Sequence, residues 1–127
     1  MTGQLIWVIE DNDQNFELVD FLLDEAGYRV QRGREAADLP RLLAGEAPSL
    51  VLLDMNLPGG SGIELVGLLK GHPTSQNAPI VAVTAHAMRG DRERFLQAGC
   101  DGYVSKPIES VHFLSVCASF LRGGVER

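Results

Sequence analysis

The sequence predicts a doubly wound α/β domain: a five-stranded parallel sheet with helices on both faces. Two observations carry this reading. Short apolar runs at residues 5–9, 28–31, 50–53, 80–83 and 102–104 alternate along the chain with longer stretches whose apolar residues recur every three or four positions. Three of those runs, 5–9, 50–53 and 80–83, are almost wholly apolar and lack the alternation of a half-exposed strand, as strands covered on both faces do. Consecutive strands separated by helices require crossover connections, which are right-handed, and so a parallel sheet. At 127 residues the chain fits one domain, expected to span residues 1–127 with no output domain attached.

Each intervening stretch has its own signals. In 12–26, Phe16, Val19, Leu22, Leu23 and Ala26 share a helical face and Gly27 supplies the stop. Residues 35–44 carry Ala36, Leu39, Leu42 and Leu43, with Pro40 expected to weaken or kink the helix at its middle. A short helix over 63–70 follows a Pro/Gly loop. Residues 91–98 end at Gly99, with 87–90 as a first turn, and 110–121 begin behind Pro107. The cluster Arg32, Arg34 and Arg41 has no explanation at this level.

Composition excludes several classes of function. The formal net charge is −6, from 17 acidic against 11 basic residues, and no Lys/Arg run offers a local exception, so direct nucleic-acid binding is not expected. The first four residues lead straight into 5–9 without the basic and long apolar regions of a signal peptide. No apolar run approaches the ~20 residues that cross a bilayer, so membrane insertion is not expected. Two cysteines, Cys100 and Cys117, read as free thiols in a reducing cytoplasm.

Ligands of such sheets bind beyond the carboxyl ends of the strands, where the strand order reverses. Glu10 and Asp11 follow the first strand, Asp54 ends the third, Thr84 the fourth, and Lys106 follows the fifth; Arg32-Gly33 at the end of the second offers nothing obviously reactive. Three carboxylates held together repel one another unless cations intervene. Lys106 is one cation, and an all-oxygen set favours Mg²⁺ or Mn²⁺ as the other. The plainer alternative is that Asp11 and Asn12 merely cap the next helix. Asp54 is placed as a nucleophile toward phosphorus, with Lys106, Thr84 and the ion neutralising the phosphoryl oxygens. Residues 59–62 match no phosphate-loop pattern, and His72, His86 and His112 lack metal-ligand spacing. Tyr103, in a short strand, reads as a core aromatic.

Taken together, Glu10-Asp11-Asn12, Asp54, the 55–62 loop, Thr84-Ala85 and 103–107 resemble the receiver domain of two-component response regulators, a (βα)5 flavodoxin-like fold, and most closely the single-domain DivK-type regulators. The resemblance covers essentially the whole chain. It implies that Asp54 accepts a phosphoryl group from a phosphohistidine of a histidine kinase or histidine phosphotransfer protein. Mg²⁺ would be held by Glu10, Asp11, Asp54 and the carbonyl of Asn56. Thr84, the Ala85 amide and Lys106 would bind the phosphoryl oxygens; Thr84 and Tyr103 would act as the switch; and a cis peptide would precede Pro107. Glu10 stands where many receivers have aspartate. Phosphorylation would alter contacts with a downstream kinase or effector protein, and Phe16 and Ile108 are candidates for contacting the phosphodonor. The alternatives are a phosphorylation-independent pseudo-receiver, an Asp-nucleophile phosphohydrolase, which would want an acid where Asn56 stands, and a flavin binder, which the acidic Glu10-Asp11 opposes.

Overall fold

The computed structural model describes residues 3–57, 62–85 and 90–121. Five strands, β1 (Leu5–Ile9), β2 (Arg29–Gly33), β3 (Leu50–Asp54), β4 (Ile80–Thr84) and β5 (Gly102–Ser105), form one sheet in the order β2-β1-β3-β4-β5. Every adjacent pair runs parallel. Around the sheet lie α1 (Asp13–Glu25), α2 (Leu39–Leu43), α3 (Gly62–Lys70), α4 (Asp91–Ala98) and α5 (Ser110–Leu121). The chain leaves β1 outward to β2 and then crosses back to β3, so strand order reverses between β1 and β3. That crevice is where the fold opens a site.

The three apolar strands are buried along their full lengths because both faces are covered. On one face Leu5, Trp7, Ile9, Val51, Leu53, Ile80 and Ala82 pack with Leu39 and Leu42 of α2, Leu65, Val66 and Leu69 of α3, and Phe95 of α4. On the other, Ile6, Val8, Leu50, Leu52, Val81, Val83 and Val104 meet Val19 and Leu23 of α1 and Phe113, Cys117 and Leu121 of α5. Burial at roughly 25 cal/mol per Å² of apolar surface makes these two layers the main source of stability. Trp7 is fully buried, and its Nε1 has no hydrogen-bond partner among the described residues.

Helix α1 starts at Asn12, whose side chain accepts from the Asn15 amide at 2.8 Å. It ends at Gly27, whose φ of 93° lets the Gly27 and Tyr28 amides close on the Asp24 and Leu23 carbonyls, both at 3.0 Å.

Two local expectations need correction. The second strand lies over Arg29–Gly33 rather than 28–31, because its backbone pairs with the whole of β1 as an edge strand that needs few apolar residues. The helix expected over 35–44 is a single 3₁₀ turn, Ala36–Asp38, followed by the five-residue α2. Pro40 therefore sits in the first turn of α2, where its missing N–H costs nothing, and kinks no helix. Residues 87–89 of the turn expected over 87–90 before α4 lie outside the described residues, as do 58–61 of the Pro/Gly loop.

Candidate functional site

Parallel pairing in register brings the predicted residues together. Asp54 closes β3 and Thr84 closes β4, while Glu10 and Asp11 follow β1 and Lys106 follows β5. Asp54 and Glu10 are each only 4% exposed and Thr84 1%, so this is a lined recess with little room for water to screen charges. Lys106 enters between the acids: its Nζ lies 2.9 Å from Glu10 Oε1 and 3.5 Å from Asp54 Oδ2. The Lys106 amide donates to the Thr84 carbonyl at 2.8 Å, which ties the lysine's backbone to the end of β4. The Lys106–Pro107 peptide is cis, as the resemblance implies.

The backbone shapes the two buried carboxylates. The Asn56 amide donates to Asp54 Oδ1 at 2.9 Å and the Asn12 amide to Glu10 Oε2 at 3.1 Å, so in each case one oxygen is held by the chain and the other faces Lys106. Burial pushes the Glu10 carboxyl above its ordinary range. The Lys106 hydrogen bond and the Asn12 amide oppose that rise, and the charge on Asp54 adds to it. The Asn56 side-chain amide reaches Thr84 Oγ1 at 3.1 Å, linking the loop after the aspartate to the hydroxyl across the site.

Asn12 is the residue that caps α1, which leaves Asp11, exposed beside the recess, out of the capping role that competed for it. One oxygen each from Glu10, Asp11 and Asp54 lies within 4.8 Å of the others. Ligands of a six-coordinate Mg²⁺ stand about 3.0 Å apart when adjacent and about 4.2 Å when opposite, so this all-oxygen set suits a hard divalent cation and would draw together around it. Such an ion would answer the mutual repulsion that Lys106 answers only in part.

Tyr103 lies half-buried on the β5 edge, its ring stacked on Phe95 of α4 at 6.0 Å between centroids. Ala85 is exposed at the rim. Phe16 and Ile108 are half-buried against the α1–α5 side of the core. His72 turns inward structurally, its Nδ1 accepting from the Thr74 amide at 3.1 Å.

One participant escaped the sequence reading. Arg32, at the strand end expected to be inert, donates from Nε and Nη2 to the Glu10 carbonyl at 3.1 and 3.0 Å. Its other nitrogen lies 2.9 Å from Asp13 Oδ1, where Arg34 also binds at 2.8 Å. Arg41 in turn donates to the Arg32 carbonyl at 3.1 Å, so the arginine cluster is an acid-paired brace along the β2 edge. The signal was the odd density of arginine beside an acidic loop, but its target is a main-chain carbonyl, which leaves no trace in a sequence.

A buried carboxylate at the reversal point of a parallel sheet, with a lysine and two further acids beside it, suits a class of α/β proteins that handle phosphoryl groups with a divalent cation. Comparison with known proteins makes the assignment definite. Residues 6–117 match the response regulator receiver domain, and the chain belongs to that family. It is a receiver domain of two-component signalling, a switch governed by phosphorylation.

The polar-differentiation response regulator DivK of Brucella anthropi is 40% identical over 119 residues, which cover 91% of this chain and 94% of the relative. Among solved structures, the receiver domain of sensor histidine kinase PA1611 from Pseudomonas aeruginosa, with a magnesium ion coordinated in its active-site cleft, is 29% identical with a TM-score of 0.85. The match covers 95% of this chain and 99% of that one. The BeF3-activated N-terminal receiver domain of RstA from Klebsiella pneumoniae is 27% identical at the same TM-score, covering 94% and 99%.

Proposed function

We propose that Asp54 is the phosphoryl acceptor, that Glu10, Asp11, Asp54 and the Asn56 carbonyl hold Mg²⁺, and that Thr84, the Ala85 amide and Lys106 bind the transferred group. The observation that carries this reading is the placement of Lys106 between two buried carboxylates at the sheet's reversal point, beside a third acid within 4.8 Å. The magnesium in the cleft of the Pseudomonas receiver supports Mg²⁺ as the cation.

An Asp54 oxygen attacks the phosphorus of a phosphohistidine. A P–O bond forms as the P–N bond breaks, and the departing imidazole nitrogen takes up a proton from solvent. Fixed groups do most of the catalysis, since this transfer needs alignment and neutralisation of charge more than covalent chemistry. The Asn56 amide fixes one Asp54 oxygen, and the Lys106 ammonium stands where negative charge arrives. Mg²⁺, when bound, supplies the remaining charge neutralisation on the phosphoryl oxygens.

Phosphorylation adds about −1.5 to −2 charges to a recess already acidic. Thr84 then turns from Asn56 toward the new oxygens, and Tyr103 shifts against Phe95. This changes the surface around α4, β5 and α5. The phosphodonor is a histidine kinase or histidine phosphotransfer protein, and the receiver of the signal is a downstream kinase or effector protein. The whole chain acts as one domain in the cytoplasm and signals by protein contact. Incubation with Mg²⁺ and a small acyl phosphate, followed by intact-mass measurement, tests the assignment. Wild type should gain one phosphoryl group and Asp54→Asn none; an equal gain in both excludes Asp54.

A further inference from the structure

The geometry points to Arg32 as a positioning residue for the cation site: its guanidinium clamps the β1–α1 loop and so holds Glu10 and Asp11 facing Asp54. This rests on the proposal that these three acids bind the ion. Arg32 shares the parity of Val30, so its side chain leaves β2 on the face covered by α1. There its guanidinium lies over the Phe16 ring, 4.3 Å from the centroid, with the side chain only 18% exposed. From that seat it bridges both ends of the loop, the Glu10 carbonyl through two N–H groups and the Asp13 carboxylate through a third nitrogen. The Arg34 side chain, 57% exposed, pairs with Asp13 and among the described residues makes no bond to the Glu10 carbonyl.

The loop needs such a brace. Glu10, Asp11 and Asp54 repel one another, and swinging the loop outward would relieve that repulsion at the expense of the ion's ligand set. A planar fork stacked on an aromatic ring resists this motion. Lysine, a point charge on a flexible stem, spans the two acceptors less well. Charge is not what sets Arg32 apart, since Arg34 pairs with the same Asp13 oxygen; the bridge to the Glu10 carbonyl is. Removing Arg32 and Asp13 together leaves the formal net charge unchanged.

The test titrates MgCl2 into the full chain by isothermal calorimetry, well below the unfolding temperature, and follows amide hydrogen exchange at residues 11–13 without metal. The Arg32→Ala/Asp13→Ala double variant should bind Mg²⁺ about tenfold more weakly than wild type, the low end of what outer-sphere partners contribute. Its loop amides should exchange faster, and Arg32→Lys should fall between the two. Variants that melt earlier but bind Mg²⁺ as tightly as wild type would reduce Arg32 to a structural brace and overturn the inference. Wild type binding no Mg²⁺, or Asp11→Asn binding as tightly as wild type, would instead remove the cation-site reading and the inference with it.

Discussion

Replacing Lys106 with methionine keeps the stem and removes the ammonium that separates Glu10 from Asp54. At an effective dielectric near 20, charges 2.9 and 3.5 Å apart attract by about 6 and 5 kcal/mol. Most of that is offset by stripping water from an ammonium whose side chain is 14% exposed, so the net loss of stability near neutral pH should be about 2–4 kcal/mol. The loss depends on pH in a definite direction. Burial already raises the Glu10 pKa above its ordinary 4.5, and Lys106 holds it down; without the lysine it rises further. A carboxyl with a raised folded pKa binds more protons folded than unfolded, so stability declines as pH climbs from the unfolded value through the folded one. The deficit of Lys106→Met should therefore be small below about pH 4.5 and open above it. Urea unfolding followed by the fluorescence of Trp7, the one tryptophan and fully buried, measures this directly. With ordinary urea slopes, the midpoint at neutral pH should fall by roughly 1–2 M. Millimolar Mg²⁺ should recover more stability in the variant than in wild type, since the cation now meets uncompensated acids. An unchanged midpoint, or a deficit that grows on acidification, would refute the account of Lys106 as the charge that holds this recess together.

Other expectations concern the scaffold. Gly62→Ala should destabilise by about 1–3 kcal/mol in the same assay, because its Cβ would stand 2.8 Å from Met55 Cα, a backbone atom that cannot rotate away. The Asp13 carboxyl is held below its ordinary 3.8 by its hydrogen bond to Arg32 and by the charge on Arg34. Its contribution is thus present above that value and fades as pH falls through the lower, folded one. Thermal melts of Asp13→Asn should accordingly converge on wild type in strong acid and lie below it at pH 6. Burial pushes the Cys117 thiol up to about 12 and that of Cys100 to about 11. Both should resist iodoacetamide at pH 8 in the folded protein and react on unfolding, as mass spectrometry would show.

How the fold announces itself differs along the chain. The strands β1, β3 and β4 were legible because burial on both faces leaves only apolar residues, and Gly27 marked the end of α1 because few other residues adopt its backbone conformation. The second strand and helix were poorly legible for the opposite reason. An edge strand takes its stability from pairing with β1, and a five-residue helix is too short to show a period, so Pro40 looked interior when it stands in the first turn.

By itself, the sequence determined that acids, a hydroxyl and a lysine would stand at the strand ends of a parallel sheet, since apolar patterning marks where strands stop. Tertiary structure decided which of them touch. It placed Lys106 nearer Glu10 than Asp54, gave the capping role to Asn12 rather than Asp11, and turned an inert-looking arginine onto a carbonyl of the acidic loop. The physical reason is that patterning reports burial, which is a property of single residues. Charge pairing and hydrogen bonding depend on distances between residues far apart in the chain, and only folding sets those.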